Sequence, residues 1–413
     1  MDTRHNRFVL AVLSAACVTP LSRADVPVAV SLHPPGAMFS TGRAGTGMLQ
    51  AGEAYFRGDT LRAGLWRGIA GSWVDLNPAG ATGSGIFGAA GEQQAGWATV
   101  GGITRASIWS STRESWIDLN PAGSVHSEAR GTDGVRQVGD AEVGGLIRAS
   151  LWTGTAASWV DLNPAGSEAS AAYGIEGGEQ VGRAFIAGSQ HAGMWRGTAA
   201  SWTDLNPPGG VMSVAYGIGG GQQTGTVFIA GAFRASLWTG TAESWIDLSP
   251  ANAMDSIAYG TDGVRQVGYA VVDDRIRASL WTGTSASWVD LHAMLPAWYS
   301  SSMAYDVYSH GSAIFVIGSA NIIDLGDQAM MWVLPNPPAP CNLADITGIG
   351  GPPAAPDGLL TGDDFVAFIG AFAADEPLAD VTGIGGPPAV PDGLITGDDF
   401  VAFIAAFAAG CAP

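Results

Sequence analysis

Tryptophan returns every 43 residues through most of this chain, at Trp66, Trp109, Trp152, Trp195, Trp238 and Trp281. A second tryptophan follows seven residues after each, at Trp73, Trp116, Trp159, Trp202, Trp245 and Trp288. One copy reads RASLWTGTAASWVDLNPAG, from Arg148 to Gly166, and a Gln-x-Gly landmark recurs at Gln94, Gln137, Gln180, Gln223 and Gln266. A period of this length with several short strands per unit means a propeller or a related array. In the third unit the strand-like pieces are Val125–Gly131, Val135–Ala141, Leu146–Trp152 and Ser158–Leu162, separated by glycine-bearing turns. A hairpin over 153–158 would set Trp152 opposite Trp159 and Ser150 opposite Asp161.

The ends of the array separate an open solenoid from a closed ring. The last unit carries Trp332 but stops at Val333-Leu334, one strand short. The missing piece stands at the other end, where Val30-Ser31-Leu32-His33-Pro34-Pro35-Gly36 matches the Val-Asp-Leu-Asn-Pro-Ala-Gly that closes other units. An N-terminal strand that completes the last blade removes the exposed sheet edges. The fold predicted is mainly β: a seven-bladed propeller over residues 25–334, with a small α-helical module behind it. Its 60 glycines, 15 tryptophans and 13% charged residues suit a turn-rich β chain.

The pattern A-Y-G-I, G-x-Q-V-G, R-A-S-L-W and W-x-D-L, seen at Ala172-Tyr173-Gly174-Ile175, Gln180-Val181-Gly182 and Arg148–Trp152, resembles the extracellular HAF-type repeat. That resemblance implies an exported propeller and offers no general enzymatic activity to carry over.

Export is also expected from the first 24 residues. Arg4 and Arg7 precede an apolar run from Phe8 to Val18, and Ser22-Arg23-Ala24 is a small-residue cleavage site. Cys17 raises lipidation, but Leu13 sits one place too far upstream for a standard lipobox. The formal charge of -19 disfavours nucleic acid and anionic membranes as partners. All 18 basic residues are arginine, which excludes lysine chemistry.

Asp75, Asp118, Asp161, Asp204, Asp247 and Asp290 recur in every complete unit, and Arg62, Arg105, Arg148, Arg234 and Arg277 recur with His191 replacing arginine in one unit and Gln328 in the last. A residue that builds each blade must recur, whereas one needed once for chemistry need not, so these are expected to satisfy partners inside the blade. The tryptophans are expected to pack between blades by the same reasoning. Trp298 and Tyr299 fall in a longer, non-periodic unit and are the expected ligand-contacting loop. The histidines His33, His126, His191, His292 and His310 are scattered without metal-ligand spacing, and no catalytic motif stands out. Asp273, Asp274 and Asp306 break the repeat but form no nameable catalytic pair.

Residues 335–340, Pro-Asn-Pro-Pro-Ala-Pro, read as a stiff linker. Behind it, in 341–413, stand two near-copies 35 residues apart, Ala344–Ala373 and Ala379–Ala408, with ten carboxylates and no arginine. Each carries Pro-Asp-Gly-Leu-x-Thr-Gly-Asp-Asp-Phe and then phenylalanines at helical spacing, Phe365, Phe368 and Phe372, or Phe400, Phe403 and Phe407. Carboxylates around a glycine before a helix suit calcium, which takes oxygen ligands at alternate loop positions. The first loop would use Asp345, Thr347, Asp357, Leu359 (carbonyl), Thr361 and Asp364. The second would use Asp380, Thr382, Asp392, Leu394, Thr396 and Asp399. Nine residues, Gly348 to Pro356, must loop out between the third and fifth ligand positions. Cys341 and Cys411 bracket the segment, and an even pair in an exported chain suggests a disulfide. The whole segment resembles a bacterial dockerin, which implies a cohesin-like or cell-surface receptor.

The function expected on this footing is a secreted, non-enzymatic binding or scaffold propeller, assembled through a calcium-dependent C-terminal module. The alternative is a carbohydrate-active enzyme acting on polysaccharide. A glycan or protein ligand on the propeller is expected in the first case, and a cleft holding paired carboxylates in the second.

Overall fold

The computed structural model describes residues 27–336 apart from 59, residues 360–381 apart from 375, residues 394–409, and the single positions Ala344 and Ile346. Seven four-stranded antiparallel sheets make up the propeller. The first blade comprises β1's successors in the chain: with β1 at Val28–Ser31, its strands are β2 (Ala37–Thr46), β3 (Leu49–Phe56), β4 (Leu61–Trp66) and β5 (Val74–Asp75), running from the channel outwards. Strand β1 itself belongs to the seventh blade. It pairs with strand Gly326–Pro335, with Val28 opposite Val333 and Ser31 opposite Met330, and the Leu32 N–H continues the ladder to the Ala329 carbonyl. The ring is therefore closed by its N-terminal strand, as the sequence predicts.

Three strand boundaries of the third blade differ from expectation, the first strand being His126–Thr132 rather than Val125–Gly131. The second strand of the third blade starts at Gln137 rather than Val135. The Asp133 carboxylate accepts the N–H groups of Val135 and Arg136 and holds both in the turn. The fourth strand is only Val160–Asp161, because a short 3-10 turn at Ala156–Ser158 takes up the residues before it. Ser150 does stand opposite Asp161. Trp159, however, does not pair with Trp152: its indole N–H donates to Ser150 Oγ at 2.9 Å.

The first tryptophan of each blade, and Trp332 in the last, is fully buried. Each packs against the neighbouring blade: Trp152 sits with Ala95, Ala106, Ile108 and Leu119 of the blade before. Burying so large a ring contributes several kcal/mol of transfer free energy, about 25 cal/mol per Å². A polar latch repeats beside it. Ser127 Oγ accepts the Ala106 N–H of the preceding blade and donates to Asn120 Oδ1. Serine fills this place in every blade, and His33 and His292 take the asparagine's place opposite Ser40 and Ser302.

The two phenylalanine-rich segments form helices, α1 (Gly362–Ala374) and α2 (Gly397–Ala409). Phe368 and Phe403 are fully buried and stack with ring centres 3.9 Å apart. No described helix is long and apolar enough to cross a membrane.

Candidate functional site

A β-bulge occurs at one equivalent position in all seven innermost strands. In the fourth blade Ala172 pairs with Gly182 and Gly174 with Val181, so Tyr173 between them has no partner. The same slip leaves out Arg43, Phe87, Arg130, Tyr216, Tyr259 and Tyr305. A bulge re-aims its extra side chain, and these seven wall the central channel together. They form a waist between two cavities. One, of about 320 Å³, is lined by the seven side chains alone. The other, of about 210 Å³, is also lined by the residues that follow each bulge.

The waist is an ordered belt. Tyr173, Tyr216, Tyr259 and Tyr305 follow one another with ring centres 5.2–5.4 Å apart, each tilted to the next by 44–59°. The Arg43 guanidinium lies 4.7 Å from the centre of the Tyr305 ring. Arg130 lies 5.3 Å from Tyr173 and 5.4 Å from Phe87. Contacts of this kind contribute about 0.5–2 kcal/mol each, more when desolvated.

Both arginines are neutralised from behind. Arg43 donates to Glu53 Oε1 at 3.0 Å. Arg130 reaches Asp140 at 2.6 Å and Glu128 at 2.7 Å. Burial pushes the Glu53 and Glu128 carboxyls above the usual range against the pull of the guanidinium groups. Burial opposes the charged form of Arg130, but Asp140 and Glu128 outweigh it and raise its pKa. Burial raises the phenols of Tyr173, Tyr216 and Tyr259 too, Tyr216 to about 12 and Tyr259 further, so these three present neutral hydroxyls at physiological pH. An anionic ligand would have to compete with buried carboxylates for these guanidinium groups.

Asp306 immediately follows the seventh bulge, where five other blades have glycine and the first has Ala44. Its carboxylate accepts the Gly45 N–H of the first blade at 2.8 Å and the Val307 N–H at 2.9 Å. Burial, with a smaller push from Asp262, raises its pKa to about 7.

The recurrent aspartates and arginines lie away from the waist, on the third and fourth strands. Arg105 pairs with Asp118, Arg148 with Asp161 and Arg277 with Asp290 at 2.7–2.8 Å, and His191 replaces arginine opposite Asp204. The second carboxylate oxygen of Asp161 accepts the Asn163 N–H. These groups build the blade. Trp298 is exposed, but Tyr299 is buried and donates to Gln328. Both precede Tyr305 by six or seven residues, about 20 Å along a strand, so the expected loop stands at the start of the strand Tyr299–His310 and the bulge near its middle. The two Ser–His pairs, Ser40–His33 and Ser302–His292, are blade latches, and among the described residues no carboxylate is bonded to either imidazole.

In the C-terminal module, Asp364 Oδ1 accepts the Ile346 N–H while Oδ2 accepts the Thr361 N–H and hydroxyl. Asp399 repeats this with Val381 and Thr396. The ninth and twelfth loop positions are thus together in both copies. Asp380 and Leu394 are also described, while Asp345, Thr347, Asp357, Leu359, Thr382 and Asp392 lie outside the described residues, as do Cys341, Cys411 and the export segment.

No family model matches the chain. No curated protein matches it either. Among solved structures it is similar to puromycin hydrolase, with a TM-score of 0.51 and 11% identity over 72% of this chain and 54% of that one. The S511A mutant of puromycin hydrolase complexed with PGG gives 0.50 and 11%, over 71% and 53%. The β-propeller domain of the Trilobed protease from Pyrococcus furiosus matches at 0.49 and 9%, over 73% of this chain and 96% of that one. The shared feature is the propeller fold. This chain spans about half the length of the puromycin hydrolase it resembles.

The likeness corrects the functional expectation. Reading the repeat and the fold as a non-enzymatic scaffold fails, because the same fold occurs in a hydrolase.

Proposed function

We propose that this propeller is of the peptidase-related type and that its channel waist receives a peptide-like, amide-bearing ligand. The observation that carries this reading is the belt of seven bulge residues, four of them consecutive tyrosines. Phenols donate to and accept from amides, and the arginines add donors whose charge is already met by Glu53, Asp140 and Glu128. Tyrosines packed tilted against one another offer hydroxyls and edges rather than the open faces on which a sugar ring stacks. The puromycin hydrolase likeness supports the reading at the level of fold. The test is calorimetric titration of the full chain with the tripeptide Tyr-Gly-Gly and, in parallel, maltotriose. Saturable peptide binding that is weakened in Tyr216→Phe/Tyr259→Phe supports it. Binding of the sugar alone, or of neither, overturns it.

A second reading concerns the C-terminal module, whose dockerin resemblance belongs to this proposal. Calcium is the cofactor its oxygen-only ligand set suits. The favouring observation is that Asp364 and Asp399, both fully buried, occupy equivalent places in the first turns of α1 and α2. They would hold the ion with the remaining loop oxygens named above.

A further inference from the structure

Asp306 is the one carboxylate that lines the 210 Å³ cavity. At the place it occupies, Gly88, Gly131, Gly174, Gly217 and Gly260 present no side chain at all. Among the described residues it makes no ion pair; its recorded partners are two backbone N–H groups, one on each oxygen. A carboxylate oxygen can accept two hydrogen bonds, so each retains capacity toward the cavity. A partly buried carboxylate without a counter-charge is costly, and a ligand that brings the charge recovers that cost. Arg43 and Arg130 also line the cavity, but their charges are met by Glu53 and by Asp140 and Glu128. Tyr305 and Tyr259 supply aromatic wall and Thr132 and Thr261 hydroxyls, surroundings that suit an ammonium group.

We infer that this cavity is an ammonium subsite in which Asp306 pairs with the protonated amino terminus of the ligand. The inference rests on the peptide reading of the channel and adds a direction to it: the amino end lies on the side of the waist occupied by the residues after the bulges, and the rest of the ligand passes the tyrosine belt. Asp306 is then a specificity determinant, selecting free amino termini over blocked ones.

The experiment compares Tyr-Gly-Gly with N-acetyl-Tyr-Gly-Gly by calorimetry on the full chain at pH 8, for wild type, Asp306→Asn and Asp306→Gly. The glycine variant restores the residue that five other blades use, so it is compatible with the fold. The expected result is a preference of about tenfold or more for the free amine in wild type, erased in both variants. Equal binding of the two peptides by wild type overturns the subsite while leaving the channel reading intact. A preference that survives in Asp306→Gly overturns it too, because the amine is then held elsewhere. Binding of neither peptide overturns the channel reading itself.

Discussion

The indole N–H of Trp159 donates to Ser150 Oγ at 2.9 Å, and the same bond links Trp116 to Ser107, Trp245 to Ser236 and Trp288 to Ser279. Two blades carry Gly64 and Gly193 in the serine's place. There the second tryptophan rolls onto the glycine and meets the first, with ring centres 4.7 Å apart for Trp66 and Trp73 and 4.6 Å for Trp195 and Trp202. A Cβ on Gly193 would overlap the Trp202 ring. One missing side chain therefore sets the geometry of a tryptophan nine residues away.

Gly193→Ser is expected to push Trp202 back to the hydrogen-bonded position of the other blades. Near-ultraviolet circular dichroism reads this directly, since paired indoles couple as excitons. The coupled signal should fall by about half, as one of two close pairs is lost, while the far-ultraviolet spectrum stays unchanged.

Ser127 ties Ala106 N–H to Asn120 Oδ1 across a blade boundary and is fully buried. Ser127→Ala leaves a buried N–H without its acceptor, which costs about 1–3 kcal/mol. Urea denaturation should show the midpoint falling accordingly, and Ser170→Ala, at the same latch one blade on, should match it.

The architecture was legible because the repeat encodes it many times over. The Trp66–Trp281 ladder fixed the blade, and Val30-Ser31-Leu32 exposed the closing strand. The waist was harder to see for a physical reason. Arg43, Phe87, Arg130 and the four tyrosines occupy one structural position with three residue types, and regular strand alternation does not reveal a bulge. A signal was present in Ala172-Tyr173-Gly174: a variable large residue held between small ones at the repeat period. Asp306 stood out only as a break in the repeat, since nothing in the sequence says that its neighbours frame a cavity. Trp298 and Tyr299 lie outside the channel belt, because aromaticity and insertion length carry no information about how far along a strand a bulge falls.

The Asp306 pKa of about 7 in the fold exceeds the ordinary 3.8, so folding favours its neutral form. The associated stability is present in full below about pH 4 and is lost as pH rises towards 7. Asp306→Asn never ionises there, so its stability relative to wild type should improve between pH 4 and pH 7 and then level off. The pKa difference sets an upper bound of about 4 kcal/mol on that improvement, and solvent in the cavity reduces it. Urea melts of both proteins at pH 4.5 and pH 8 measure it.

For the C-terminal module, calcium should bind the full chain at about two ions per molecule by calorimetry. Changing both Asp364 and Asp399 to Ala should abolish the heat. A variant that still binds two ions would remove these carboxylates from the ligand set.

The most direct test of the central claim is a crystal structure of the full chain soaked with Tyr-Gly-Gly. The account predicts peptide density threading the waist, with amide groups bonded to the hydroxyls of Tyr216 and Tyr259. Density for the peptide elsewhere on the propeller, with the channel belt unchanged, would contradict it.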